Sequence, residues 1–300
     1  MSMSIHEACL MYAKWEMRNF QEKFFENTDF IAYYGGIEWD SIAKWKTAID
    51  ELALFKKERN VESILILLST TGGVVSAVER MVDITRHYYE QVFFIIPDFA
   101  MSAGTIWCMS GDKIYMNYAS ALGPIDPQVE SNDGKWVPAL GYLDKAKEIF
   151  ERSKKGEVSE LEIMMLSHLD LAQMRQYEQA VELSIDLLKK WLVEYKFKDW
   201  TKHRTTNAGA EVTLEEKQIR AQEIAQMLSD NNRWNSHTRF ISAETLRNIV
   251  KLEIDDFSDK REMCNELNKI HQYIIDYMDK FNISMLTFPS FPANINDISV

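Results

Sequence analysis

Two short stretches of the chain carry residue types that do chemistry. In the first, Ser69-Thr70-Thr71-Gly72-Gly73 follows an apolar run and precedes a segment with helical spacing. Adjacent glycines free the backbone to turn N–H groups into a cavity, because no Cβ forbids the φ values required, and such a nest suits an anion. The same doublet also serves as a plain tight turn. In the second, Pro97-Asp98-Phe99 leads into Ala100-Met101-Ser102-Ala103-Gly104-Thr105, with a serine between small residues where a strand passes into a helix. N–H groups at a helix start stabilise developing negative charge, so Ser102 reads as a candidate nucleophile, its A-x-S-x-G spacing approximating a G-x-S-x-G nucleophile elbow. Serine is equally at home there as an N-cap. The glycine spacings of a phosphate loop or dinucleotide fold, G-x-x-x-x-G-K-[ST] and G-x-G-x-x-G, are both absent.

Positioning these residues requires strands that end at one edge. Apolar runs at Phe30–Tyr34, Ile64–Leu68 and Val92–Ile96, each followed by Gly or Pro, predict buried strands, with a further short one at Lys113–Met116. Between them, Ile42, Trp45, Ile49 and Leu52, then Val74, Val78, Met81, Val82, Thr85 and Tyr89, repeat at helical spacing. Alternating strands and helices imply a parallel sheet with right-handed crossovers, which puts both turns at the carboxyl ends of strands, where ligands bind. The N–H groups of Gly73 and Ala103 would then face one point beside the Ser102 hydroxyl, the layout of an acyl-transfer site.

Of the 11 glycines nine fall between Gly35 and Gly141, no proline occurs from Ala139 to Phe288, and no glycine follows Gly209. The second half is therefore predicted to be mostly helical. Leu171, Met174, Tyr177, Val181, Ile185, Leu188, Leu192 and Tyr195 form one long stripe, and helices are expected at Leu214–Asp230 and Phe257–Phe281. Residues 1–29 read as an N-terminal amphipathic helix, 30–200 as the core and 201–300 as a helical extension, with a loose tail from Pro289 through Pro292, Asn294 and Asn296.

Composition limits the function classes. The 300 residues are 46% hydrophobic and 27% charged, which excludes disorder throughout. Lys plus Arg 34 against Asp plus Glu 46 leaves −12, opposing general attraction to nucleic acid. Lys196, Lys198, Lys202, His203 and Arg204 interleave with Phe197 and Trp200, a basic aromatic stretch of a kind that binds phosphate or nucleic acid, but with that net charge it reads rather as a solvated helix end or loop. No uncharged run reaches membrane-span length and no signal sequence is visible, so a cytoplasmic protein without an integral membrane segment is expected. Three cysteines without C-x-x-C spacing suggest neither a disulfide frame nor zinc, and the six histidines form no metal motif, so no metal or cofactor is called for.

The strings Ile66-Leu67-Leu68-Ser69-Thr70-Thr71-Gly72-Gly73, Ile96-Pro97-Asp98-Phe99-Ala100-Met101-Ser102-Ala103-Gly104-Thr105, Gly111-Asp112-Lys113-Ile114-Tyr115-Met116 and Ala121-Leu122-Gly123-Pro124-Ile125-Asp126-Pro127-Gln128 resemble, in order and spacing, the serine dehydrogenase proteinase family of Clp-fold (crotonase-like) serine peptidases. Trp191–Trp200 and Trp234–Arg239 resemble its longer members. The resemblance implies an α/β Clp/crotonase-like spiral core and peptide-bond hydrolysis by a homo-oligomer, with residues 171–196 as the projecting helix. Ser102 would be the nucleophile, the amides of Gly73 and Ala103 the oxyanion hole, and Gly72 part of the substrate-binding turn. Two departures stand out. Thr71 occupies a position where relatives often carry proline, and Asp126 falls where Clp subunits carry their histidine base.

A serine needs a base at neutral pH. Lys155 and Lys154 lie at a distance similar to the lysine base of signal peptide peptidases and are the first choice; they would have to be desolvated. His168 and His237 are the other candidates, and the order Ser102, Asp126, His237 suits a triad if the chain folds back. Two further readings stay open: an acyl-thioester enzyme of crotonase type, using the amides without a nucleophilic serine, and an inactive scaffold or sensor.

Overall fold

Every apolar run named above becomes a strand in the computed structural model, which describes residues 3–54, 56, 61–130, 136–167, 170–203 and 208–291. In chain order the strands are β1 (Thr28–Gly35), β2 (Ser63–Ser69), β3 (Gln91–Ile96), β4 (Phe99–Ala100), β5 (Lys113–Met116), β6 (Ala121–Leu122), β7 (Gln128–Glu130), β8 (Trp136–Pro138), β9 (Ile241–Ser242), β10 (Asp255–Asp256) and β11 (Met285–Pro289). The main sheet runs β10-β5-β3-β2-β1-β11 and is parallel except for β11; a small second sheet runs β4-β6-β9.

Strand residues point alternately to two cores, as the pleat requires. Ile31, Tyr33, Ile64, Ile66, Leu68, Phe94 and Ile96 face one; Phe30, Ala32, Tyr34, Leu65, Leu67 and Ile95 face the other. On the first face lie α2 (Ser41–Ala53), α3 (Val75–Tyr88) and α4 (Ala103–Cys108), and, after α5 (Ala139–Ser153) and α6 (Glu160–Ser167), also α7 (Leu171–Trp191) and α8 (Leu214–Ser229). The second face is covered by the N-terminal helix (Ile5–Phe24), numbered α1, and by the last, α9 (Arg261–Phe281). Capping boxes start two of these helices: Ser4 with Glu7, and Thr213 with Glu216. The long stripe of α7 widens into a π turn at Leu192–Lys196, and Tyr195 stacks on the Arg86 guanidinium, 3.7 Å from the ring centroid.

The C-terminal third is not only helical: it supplies β9, β10 and β11. The tail expected from Pro289 begins later, because Met285–Pro289 pairs antiparallel with β1 (Ile31 opposite Pro289) and the Ser290 N–H donates to the Phe30 carbonyl at 2.8 Å. An edge strand tolerates proline, since one side of its ladder carries no partner. Pro292, Asn294 and Asn296 lie outside the described residues.

Under the carboxyl edge sits an aromatic cluster. The rings of Trp45 and Trp107 meet edge to face at 4.9 Å, with Tyr33 5.2 Å from Trp107 and Phe94 5.9 Å from it. Trp107 belongs to the short helix that begins after Ser102, so this packing fixes the helix's orientation. Trp107→Ala is expected to cost about 3–5 kcal/mol in a denaturant titration, the usual range for emptying a buried aromatic site.

Candidate functional site

The two glycine- and serine-bearing turns are sewn together by backbone pairing. Past the end of β2, Thr70 forms a parallel bridge with Ala100: its N–H donates to the Phe99 carbonyl at 3.1 Å and its carbonyl accepts the Met101 N–H at 3.0 Å. The Thr70 hydroxyl accepts the Gly72 N–H at 3.0 Å. On the far side Ile37 grips the doublet, donating its N–H to the Gly72 carbonyl and accepting the Val74 N–H, both at 2.8 Å. In a parallel bridge of this pattern the N–H of Gly73 itself points away from Ile37, and it donates to nothing among the described residues. Ala103 is the first residue of α4, so its N–H has no partner within the helix.

Ser102 stands between these amides with φ +51° and ψ −118°, a conformation that is sterically costly for any residue with a Cβ. It occupies the N-cap position, yet its side chain makes no capping bond. The hydroxyl, half-buried, has no hydrogen-bond partner among the described residues. A strained strand-to-helix turn carrying an unused serine hydroxyl is the geometry of a nucleophile elbow. Gly72 makes room for it: a Cβ there would lie 2.7 Å from the Met101 carbonyl oxygen and 2.8 Å from the Ser102 Cβ. With its N–H and carbonyl both engaged, Gly72 contributes closeness more than a substrate contact.

The second sheet brings two more residues to the same edge. β4 is parallel to β6 and β6 antiparallel to β9, with Leu122 beside both Ala100 and Ile241. Ser102 two residues beyond β4, Asp126 four beyond β6 and His237 four before β9 therefore leave the sheet on one side. His237 Nδ1 and Asp126 Oδ1 are 2.9 Å apart. Asp126 is fully buried, and its other oxygen, Oδ2, has no partner among the described residues. His237 is presented by a turn after α8 in which Trp234 donates its indole N–H to the Met227 carbonyl at 2.7 Å and Asn235 takes a left-handed φ of +59°. Thr105 locks the strands together: its buried hydroxyl lies 2.8 Å from the Ala100 carbonyl and 2.9 Å from that of Gly123, and it accepts the Gly123 N–H at 3.0 Å. The sequence placed Thr105 in the serine motif without a role; its role is this suture.

Residues 52–215 match the family of ClpP-like SDH-type serine proteinases. The chain belongs to that family. Curated relatives include an uncharacterized protein of Methanocaldococcus jannaschii, 29% identical over 141 residues, which are 47% of this chain and 44% of that protein. A second uncharacterized protein of the same organism is 34% identical over 64 residues, 21% of this chain and 22% of its own length. The chain thus spans less than half the length of the curated relatives it matches. Among solved structures, two mutants of a membrane-bound stomatin-specific protease, one in complex with a substrate peptide, are similar with TM-scores of 0.44 and 0.45 at 14% and 15% identity. Each alignment covers 78% of this chain, and 81% and 77% of those chains. No helix among the described residues is long and apolar enough to cross a membrane.

The lysines named from the sequence lie on the surface. Lys154 and Lys155 follow the end of α5 and are exposed, and the Lys154 ammonium bonds to Glu151 at 2.8 Å on the surface. A lysine acts as a base on serine only when water is kept from it, and neither is so placed. His168 lies outside the described residues. Gly72→Ala, which demands a methyl group where backbone already sits, is expected to displace the Ser102 turn. Labelling of Ser102 by a fluorophosphonate should then slow about a hundredfold, the scale of a 1 Å misplacement, while far-UV circular dichroism keeps its helical form.

Proposed function

We propose that the protein is a serine peptidase in which Ser102 attacks the scissile carbonyl, His237 serves as base and Asp126 orients it. The observation that carries this reading is the 2.9 Å pairing of His237 with the buried carboxyl of Asp126, on the edge where the strained Ser102 turn also emerges. In this scheme His237 Nδ1–H donates to Asp126, leaving Nε2 to take the serine proton and return it to the departing amine. The tetrahedral oxyanion accepts hydrogen bonds from the N–H groups of Gly73 and Ala103, and water then hydrolyses the acyl-enzyme. Catalytic hydrogen bonds often tighten only when substrate is bound, so an unpaired serine hydroxyl in the free enzyme fits the scheme. The substrate class is a polypeptide entering in extended form, and no cofactor takes part.

Fluorophosphonate labelling followed by peptide mapping is expected to modify Ser102 and nothing else of comparable reactivity. Ser102→Ala and His237→Ala should each lower kcat/KM on a peptide substrate by about 10³-fold or more, and Asp126→Asn by about 10⁴-fold through loss of the productive tautomer. Lys154→Met with Lys155→Met should leave it unchanged. A drop with the lysine pair and none with His237 would return the base to lysine. The unpaired Ser102 hydroxyl also favours one rival, a site that holds peptide without cleaving it; binding of a peptide with no labelling of Ser102 would establish that instead.

We further infer a homo-oligomer. Phe150 at the end of α5, Leu161, Ile163 and Met164 on α6, and Leu171 at the start of α7 are all exposed. Exposed apolar side chains gathered within residues 150–171 suit a contact between copies. Light scattering coupled to size exclusion is expected to give a multiple of 35.0 kDa that Ile163→Glu with Leu161→Glu reduces to the monomer.

A further inference from the structure

A separate cavity opens at the opposite edge of the main sheet. Its volume is about 580 Å³, an ordinary size for a small-molecule site. Lys196 and Trp200 line it, together with Arg220 of α8 and Arg247 and Lys251 from the turns that precede β10. Its place follows from two bonds: Lys196 Nζ donates to the Asp112 carbonyl at 3.3 Å, and the Asp112 N–H donates at 2.7 Å to Val92, in the opening residues of β3. These are the amino ends of β3 and β5, whereas Ser102 lies beyond the carboxyl ends. The cavity is therefore distinct from the candidate peptidase site, and nothing said of it depends on that reading.

The sequence suggests a solvated basic stretch here, but Lys196 and Trp200 are half-buried. Four cationic side chains line the space against the carboxylates of Asp199 and Glu253, in a chain whose net charge is −12. Burial pushes the Lys196 ammonium below its ordinary pKa, and among the described residues it forms no salt bridge. Lys251, held at a left-handed φ of +57°, likewise pairs with no described residue. Arg220 donates to Glu223 and the Val250 carbonyl and Arg247 to Asp256, which fixes both guanidinium groups. The Asp255, Glu253 and Asp112 carboxylates offset the burial of Lys196 only in part, and an anion entering the cavity would meet several charged donors at once. Beside the cations, the Trp200 ring, set edge to face with Phe197 at 5.6 Å and His203 at 5.9 Å, offers a stiff aromatic wall.

We propose that this cavity binds a nucleoside phosphate, with the phosphates among Lys196, Lys251, Arg220 and Arg247 and the base against Trp200. Calorimetric titration of the full chain with ADP, inorganic pyrophosphate and adenosine tests it. ADP is expected to bind about tenfold more tightly than pyrophosphate, because stacking on tryptophan adds to the charge contacts. Lys196→Met and Lys251→Gln should each weaken ADP about tenfold, the loss of one charge-assisted hydrogen bond, with the circular dichroism spectrum and the thermal midpoint unchanged. Absence of heat with ADP, affinities unmoved in both lysine variants, or pyrophosphate binding as tightly as ADP would each overturn the assignment.

Discussion

The site depends on one short stretch of backbone pairing, the bridge between Thr70 and Ala100. It carries the chain leaving β2 directly onto the chain leaving β3, so two turns separated by about thirty residues of sequence share hydrogen bonds at distances near 3 Å. Once they are joined, Gly72 must pack against Met101 and Ser102, which only a residue without a side chain can do. The unspent N–H groups of Gly73 and Ala103 and the strained Ser102 backbone follow from this closeness. The strain is held by what surrounds it: α4 is anchored below by Trp107 in the aromatic cluster and at its first turn by Thr105.

A second constraint is the small sheet. Two-residue strands contribute little stability by themselves. Their value is directional, because a parallel and an antiparallel neighbour on either side of β6 deliver three loops to one edge. Burial then sets the character of what they deliver. Asp126 is wholly enclosed, with His237 beside it at 2.9 Å, and a buried carboxyl is costly unless a donor faces it. That pairing holds the histidine turn to the core and is the reason His237 is preferred as base over exposed lysines.

Membership of the proteinase family agrees with a peptidase, while the curated relatives overlap this chain over less than half their length. The chemistry proposed for the carboxyl edge thus rests on geometry in this chain. The amino edge carries a different kind of feature, a cationic cavity, and the main sheet separates the two.

Much of this was legible in the residues themselves. Runs such as Ile64–Leu68 and Val92–Ile96 became buried parallel strands because their length and β-branched content leave few alternatives, and the Gly72-Gly73 and Ser102 turns were visible because a positive φ or a missing Cβ is a property of single residues. What only the tertiary structure decided is everything that joins distant residues: β11 taking its place beside β1, and His237 meeting Asp126 across 111 positions of sequence. Lys154, nearer in sequence and chemically plausible, ended on the surface bonded to Glu151. The physical reason is that the desolvation a lysine needs to act as a base, and the partner that orients a histidine, both come from the packing of many segments and are written in no single one of them.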